Sequence, residues 1–272
     1  MFSKMRFNLP TIILFFVLFS GCGEYEKILK SDDYDLKYDK ALSYYEQEKY
    51  IKAVTIFEQI LPRFRGTEKS EKINFLHAKS YYLMGNYIMA GHHFRTFFKT
   101  YANSEYAEEA YYLAAYCYYL LSPRPSLDQE NSFKAINAFI LFMNRFPGSE
   151  RAKECNLLIN ELQDKLSEKS YLNAKLYLNL GDYKAAKVAI QNSLEEYPET
   201  KFREELLFLK LQSQFLLSEN SITEKQKERY QITLDEYYSF IEEFPVTNYQ
   251  KEIERIYELT AFFLKIETTN TN

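Results

Sequence analysis

Two alanines set 12 residues apart, with a large side chain 4 residues beyond the second, recur along this chain. Residues 41–57 read ALSYYEQEKYIKAVTIF and residues 78–94 read AKSYYLMGNYIMAGHHF. Aligned, Ala41 matches Ala78, Tyr44-Tyr45 match Tyr81-Tyr82, and Tyr50 matches Tyr87; Ala53 then matches Ala90, and Phe57 matches Phe94. Ala174, Tyr177, Gly181, Tyr183, Ala186 and Ile190 form another copy. A copy running from Ala115 to Ala135 and Phe139 carries a polar, proline-bearing insertion at 122–131, and a weaker fifth is marked by Thr233, Tyr237, Phe244, Pro245 and Thr247. An aromatic stands 11 residues after the second alanine in four copies (Phe64, Tyr101, Phe146, Tyr197), and a Ser or Thr follows 3 residues later (Thr67, Ser104, Ser149, Thr200).

Such a frame is the requirement of a helical hairpin. Small residues let two antiparallel helices approach, and large ones fill the space beside the contact. Pro147 and Pro198 stop a second helix, and the Ser/Thr beyond can cap the next. With only 7 Gly and 7 Pro in 272 residues, the chain has too few turn-formers for a sandwich or barrel. The pattern resembles the tetratricopeptide (TPR) repeat, whose period is about 34 residues, and predicts an all-α superhelix of about five hairpins. Residues 150–178 contain neither Pro nor Gly, and Leu158, Leu162, Leu166 and Tyr171 follow helical spacing. This predicts one long first helix in the fourth copy, dividing the array into repeats 1–3 (residues 34–165) and repeats 4–5 (166–266), with a disordered tail at 267–272.

The N-terminus reads as a lipoprotein signal. Lys4 and Arg6 precede the apolar run 11–19, which is too short for a ~20-residue membrane span. The run ends in Ser20-Gly21-Cys22, which resembles a bacterial lipobox. Residues 1–21 are then expected to be removed, Cys22 to carry lipid, and 22–33 to serve as its tether. Gly23 is not Asp, so an inner-membrane retention signal of the proteobacterial kind is absent. Cys117 and Cys155 fall within apolar helical stretches and read as buried small hydrophobes rather than as a disulfide.

Nothing in the sequence carries catalysis or a cofactor. There is no Walker A, G-x-G-x-x-G, H-E-x-x-H or G-x-S-x-G motif. His92 and His93 are neighbours, about 100° apart on a helix, and cannot jointly face one metal. Acidic pairs such as Glu108-Glu109 and Glu195-Glu196 read as solvated faces. The formal charge is −4, and losing Lys4 and Arg6 with the signal takes it near −6, which disfavours nucleic acid as a partner.

Local strings point to a family. QEKYIKAVTIFEQILPRF (47–64), AFILFMNRFPGSERAKE (138–154) and LQDKLSEKSYLNAKLYLNLGDYKAAKVAIQNSLEEYPET (162–200) resemble the BamD family, the lipoprotein component of the outer-membrane β-barrel assembly machine. The resemblance implies anchorage by lipid, palmitate included, on the periplasmic face of the outer membrane. It implies C-terminal repeats that dock on the POTRA domains of a BamA-like barrel protein, and N-terminal repeats that receive unfolded outer-membrane proteins. The other binding reading is a glycan- or nutrient-binding helical-repeat lipoprotein of the outer membrane, although such proteins usually bear Trp and this chain has none.

Candidate groove residues follow from the frame, because the first helix of each TPR hairpin lines the concave face. Three before the first alanine stand Tyr38, Phe75, Tyr112, Tyr171 and Phe208; four after it stand Tyr45, Tyr82, Tyr119, Leu178 and Phe215. Positions seven apart share one helix face. The stripe either packs between hairpins or forms an aromatic groove for an extended peptide. The groove candidates are Tyr38, Tyr45, Phe75, Tyr82, Tyr112 and Tyr119; Tyr45, Tyr82 and Tyr119 suit it best, because Tyr tolerates exposure.

Overall fold

The computed structural model describes residues 20–265, excepting the side chains of 20–22. The expectations for the signal segment up to residue 19, the Cys22 side chain and the tail at 267–272 therefore lie outside the described residues. Within them are twelve α-helices and no strand. These are α1 (Ser20–Lys30), α2 (Tyr34–Glu46), α3 (Tyr50–Ile60), α4 (Glu68–Leu83), α5 (Tyr87–Thr100) and α6 (Ala107–Leu120), then α7 (Glu130–Arg145), α8 (Ala152–Asn179), α9 (Tyr183–Glu196), α10 (Arg203–Glu219), α11 (Thr223–Glu243) and α12 (Gln250–Leu264). The fold class is all-α, as the repeat frame predicts.

The chain forms two compact units. One takes in the chain up to Ser122 together with Asn131–Asn156; the other takes in Pro123–Glu130 and the chain from Leu157. The boundary at 156/157 falls within α8, which at 28 residues is the long first helix expected of the fourth copy. The loop 122–131 is thus shared, and Lys169 Nζ donates to the Leu127 carbonyl at 2.6 Å within the second unit.

Every alanine of the frame is fully buried: Ala41 and Ala53, Ala78 and Ala90, Ala115 and Ala135, Ala174 and Ala186. Phe57, Phe94, Phe139 and Ile190, four residues on, are fully buried as well. A Cβ larger than a methyl at the alanine sites would separate the paired helices, at a cost of about 1–3 kcal/mol per site. Thr233 holds the fifth copy's alanine position; it is buried, its hydroxyl donates to the Arg229 carbonyl, and it sits 3.0 Å from the Ser218 hydroxyl.

Three hairpin turns share one geometry. The amides of Glu48, Gly85 and Gly181 donate to the carbonyls of Tyr45, Tyr82 and Leu178, and the next residues, Lys49, Asn86 and Asp182, donate to Tyr44, Tyr81 and Tyr177. This double bond closes a helix only when one residue takes a left-handed conformation. Gly85 and Gly181 do so at φ 75° and 77°, and Glu48 does so at φ 59° without being glycine. Asn86 and Asp182 then cap the following helices, accepting from the Met89 and Ala185 amides at 3.2 and 3.0 Å.

Two helices flank the five hairpins. In the first unit α1 packs Ile28 into the core formed by Ala41, Ala53, Ile56, Phe57 and Ile60. In the second, α12 contributes Ile253 and Ile256 to a core with Leu206, Phe208 and Phe240. Cys117 and Cys155 are free and buried, and burial pushes their thiols up to about 12 and about 11.

Candidate peptide-binding face

The two sets of the aromatic stripe occupy different surroundings. The set three before the first alanine packs, within its own unit, against a residue that follows its hairpin. Phe75 stacks on Tyr106 with ring centroids 4.6 Å apart, Tyr171 on Phe202 at 4.5 Å, and Phe208 on Tyr249 at 4.2 Å. In the two remaining hairpins a cation takes the place of the second ring. The Lys69 ammonium lies 4.7 Å from the Tyr38 ring centre, and the Arg151 guanidinium 4.3 Å from that of Tyr112. Each partner stands five residues beyond the aromatic that closes the hairpin, so the rule is a property of the repeat. The interlock leaves Phe75 only 2% exposed and Tyr112 only 3%. Both belong to the packing inside the first unit, Phe75 under Tyr106 and Tyr112 under Arg151. Tyr38 is half-buried, its ring also 5.8 Å from Phe64, with Lys69 held overhead by Asp35 at 2.6 Å.

Tyr45, Tyr82 and Tyr119 sit two turns further along and are half-exposed. Tyr45 packs against Tyr50 at 5.7 Å, and Tyr82 against the equivalent Tyr87 at 5.7 Å. Tyr119 stacks on Tyr116 at 5.4 Å, and Tyr116 on Tyr112 at 5.6 Å. With these contacts all three rings stay half-exposed. The environments are also connected. Burial pushes the Tyr45 hydroxyl up to about 12, helped by Tyr50 and by Glu109 of α6. Burial likewise raises Tyr82, with Tyr116 and Cys117 adding to it and Arg151 opposing. The tyrosines of α2 and α4 therefore share a field with α6 across this unit. Glu109 is itself paired with Lys79 at 2.8 Å, and Lys79 lies 5.3 Å from the Phe75 ring centre.

The face carries half-exposed phenol rings at one repeat position of three consecutive hairpins, and the charge of Arg151 is felt at Tyr82. Such a surface can hold an extended chain by ring contacts worth roughly 0.5–1.5 kcal/mol each. Among the described residues no group of three or more His, Cys, Asp or Glu could hold a metal ion. Sequence reasoning missed the interlocking residues Lys69, Tyr106, Arg151, Phe202 and Tyr249, though the repeat frame contained the signal.

Comparison with known families matches residues 31–230 to YfiO, described as an outer membrane lipoprotein. The chain belongs to this family. It is the BamD family to which the sequence strings point, and the match spans both units. The protein is thus assigned to the outer membrane lipoproteins. No helix among the described residues is long and apolar enough to cross a membrane. Comparison with curated proteins gives no match. Among solved structures, the TPR2AB domain of yeast Sti1 in complex with pHSP90 aligns over 84% of this chain and 98% of its own, at 13% identity and a TM-score of 0.38. That likeness is too loose to support any argument about function.

Proposed function

We propose that this protein is a lipid-anchored scaffold of outer-membrane β-barrel assembly. Cys22 carries the anchor, both units face the periplasm, the second unit docks on the POTRA domains of a BamA-like barrel protein, and the first receives unfolded outer-membrane proteins. Membership of the YfiO family supports the setting. The observation that carries substrate receipt is the row of half-exposed tyrosines, Tyr45, Tyr82 and Tyr119, at one repeat position in three consecutive hairpins.

Changing all three to Ala should weaken binding of a C-terminal peptide from a barrel protein at least about tenfold, since three lost ring contacts together exceed 1.4 kcal/mol. The fold should survive, because none of the three is fully buried. Unchanged affinity in a folded variant would refute the peptide face. Phe215→Ala, at the same repeat position but buried in the second unit, is the control and should leave peptide affinity unaltered. For the anchor, Cys22→Ser should move the protein from the membrane to the soluble fraction.

A further inference from the structure

The lipid attachment point and a row of exposed apolar side chains fall on the same edge of the first unit. Helix α1 runs antiparallel to α2: Lys37 Nζ donates to the Leu29 carbonyl at 3.0 Å, Lys40 pairs with Glu24 at 2.7 Å, and Tyr44 meets Tyr25 edge-on at 5.6 Å. The beginning of α1 therefore lies beside the end of α2, at the edge where the hairpins turn. Lys52, in the first turn of α3, confirms the register, its ammonium 5.0 Å from the Tyr25 ring centre. Cys22 stands two residues before Glu24 in the same helix, so only about 3 Å of helix rise separates it from a residue held by the fold. A chain acylated there has almost no free tether.

Because the hairpins alternate up and down, α3, α5 and α7 all begin at that edge. Each presents an apolar residue two before its alanine: Ile51, Ile88 and Phe133, which are 75%, 69% and 50% exposed. Isolated exposed hydrophobics are ordinary on a protein surface. These three hold one repeat position in consecutive hairpins, and in the second unit the same position holds Lys184 and Gln231, both exposed.

The geometry points to a membrane-resting edge: the turn edge of the first unit lies on the lipid surface, with Ile51, Ile88 and Phe133 entering the headgroup region beside the acylated Cys22. This inference rests on the anchor assigned above. The short span from Cys22 to the folded body selects lipid over protein as the occupant, because it forces this edge against the bilayer whenever the anchor is inserted. Burying apolar side chains at the interface then adds to the anchor and fixes the orientation of the unit.

The test uses the chain from residue 22 with Cys22→Ser and an N-terminal histidine tag, tethered to vesicles of phosphatidylethanolamine, phosphatidylglycerol and a nickel-chelating lipid. Ile51→Cys, Ile88→Cys, Phe133→Cys and, as control, Lys184→Cys are each labelled with a polarity-sensitive fluorophore; the native thiols are buried and do not compete. On tethering, labels at 51, 88 and 133 should shift to the blue and lose at least about threefold in quenching by aqueous iodide, while 184 stays unchanged. Unchanged emission at the three positions, or an equal shift at 184, would overturn the proposal. The tether replaces acylation, so failure of the Cys22 assignment is read separately, from fractionation of the untagged natural chain.

Discussion

In the first unit the residues four after the first alanine are half-exposed tyrosines, Tyr45, Tyr82 and Tyr119; in the second the same position holds Leu178 and Phe215, both buried. The contrast repeats two residues before the second alanine, where Ile51, Ile88 and Phe133 give way to Lys184 and Gln231. The interlock three before the first alanine is common to both units, formed by Phe75 with Tyr106 in one and by Tyr171 with Phe202 in the other. The packing positions of the repeat are thus held constant while its surface positions diverge. In the second unit exposed apolar residues stand at other positions, among them Leu176 and Leu180 near the α8–α9 turn, Val188 on α9 and Phe262 on α12. A single frame has been elaborated into two surfaces of different character, as expected if the units serve different partners.

The largest effect that could break this comparison is a cavity placed at matched core sites. Phe139 and Ile190 hold the same repeat position in the two units, and both are fully buried. Phe139→Ala should cost about 3–5 kcal/mol and Ile190→Ala about 2–5 kcal/mol. In repeat arrays stability is roughly a sum of local and neighbour terms, so each loss should be concentrated in its own unit. Amide exchange resolved by peptide is the measurement. Equal loss of protection in both units from either variant would show one cooperative body.

Acid should separate the units next. All three histidines, His77, His92 and His93, lie in the first unit. His77 and His93 sit with ring centroids 4.5 Å apart, and neither Nε2 has a hydrogen-bond partner. Tyr81 stacks on His93 at 5.3 Å and donates its hydroxyl to Glu58 at 2.9 Å. Burial lowers His93 to about 4, with His77 and His92 adding to the effect and Glu58 opposing. Burial lowers His77 as well, against Glu58, whose carboxylate is 3.5 Å from Nε2. An unfolded chain protonates its histidines near pH 6.5. Between about 6.5 and about 4 the unfolded state therefore binds protons that native His93 does not, and stability falls as pH falls through that window. At pH 5 the first unit should lose protection relative to pH 7 by more than the second, once intrinsic exchange rates are corrected. His93→Phe should reduce the difference, and an unaltered difference in that variant would place its origin elsewhere.

The alanine frame made the hairpins legible because a close helix crossing tolerates only small residues, and it located α8 because a 28-residue stretch lacks any helix-breaker. The two flanking helices were harder to see. Residues 22–33 read as a tether behind the lipid site, yet α1 covers Ser20–Lys30 and, among its described side chains, buries only Ile28 deeply, too sparse a pattern to announce a helix. α12 buries Ile253 and Ile256 but follows no alanine frame, having no partner helix beyond it among the described residues. The aromatic stripe was visible as one face because positions seven apart align on a helix. Its division into an interlock and an open row was not, because that depends on how far along each first helix the next hairpin reaches. Tyr38 and Tyr112 show how local this is: a cation covers both, yet Tyr112 is buried under Arg151 while Tyr38 stays half-buried under Lys69.

The smallest effects test what the units still share, namely their turns. Gly85 in the first unit and Gly181 in the second close equivalent hairpins with φ near 75°, a region that disfavours any residue with a Cβ. A Cβ added at Gly85 would meet nothing within 4 Å, and one at Gly181 only the Tyr183 hydroxyl at 4.0 Å, so neither site is crowded. The cost of Gly→Ala there comes from the backbone alone: about 1–2 kcal/mol for the left-handed conformation, less about 0.5–1 kcal/mol because alanine loses less entropy on folding. Gly85→Ala and Gly181→Ala should each destabilise by about 0.5–1 kcal/mol. Glu48 is the same experiment already performed in reverse, a glutamate at φ 59° where its equivalents are glycine. Glu48→Gly should therefore stabilise the first unit by a similar about 0.5–1 kcal/mol, and Glu48→Ala, which keeps a Cβ, should not. Denaturant midpoints of the four variants decide it. Should Glu48→Gly destabilise instead, the Glu48 side chain must contribute to the native state something that its exposed position does not reveal.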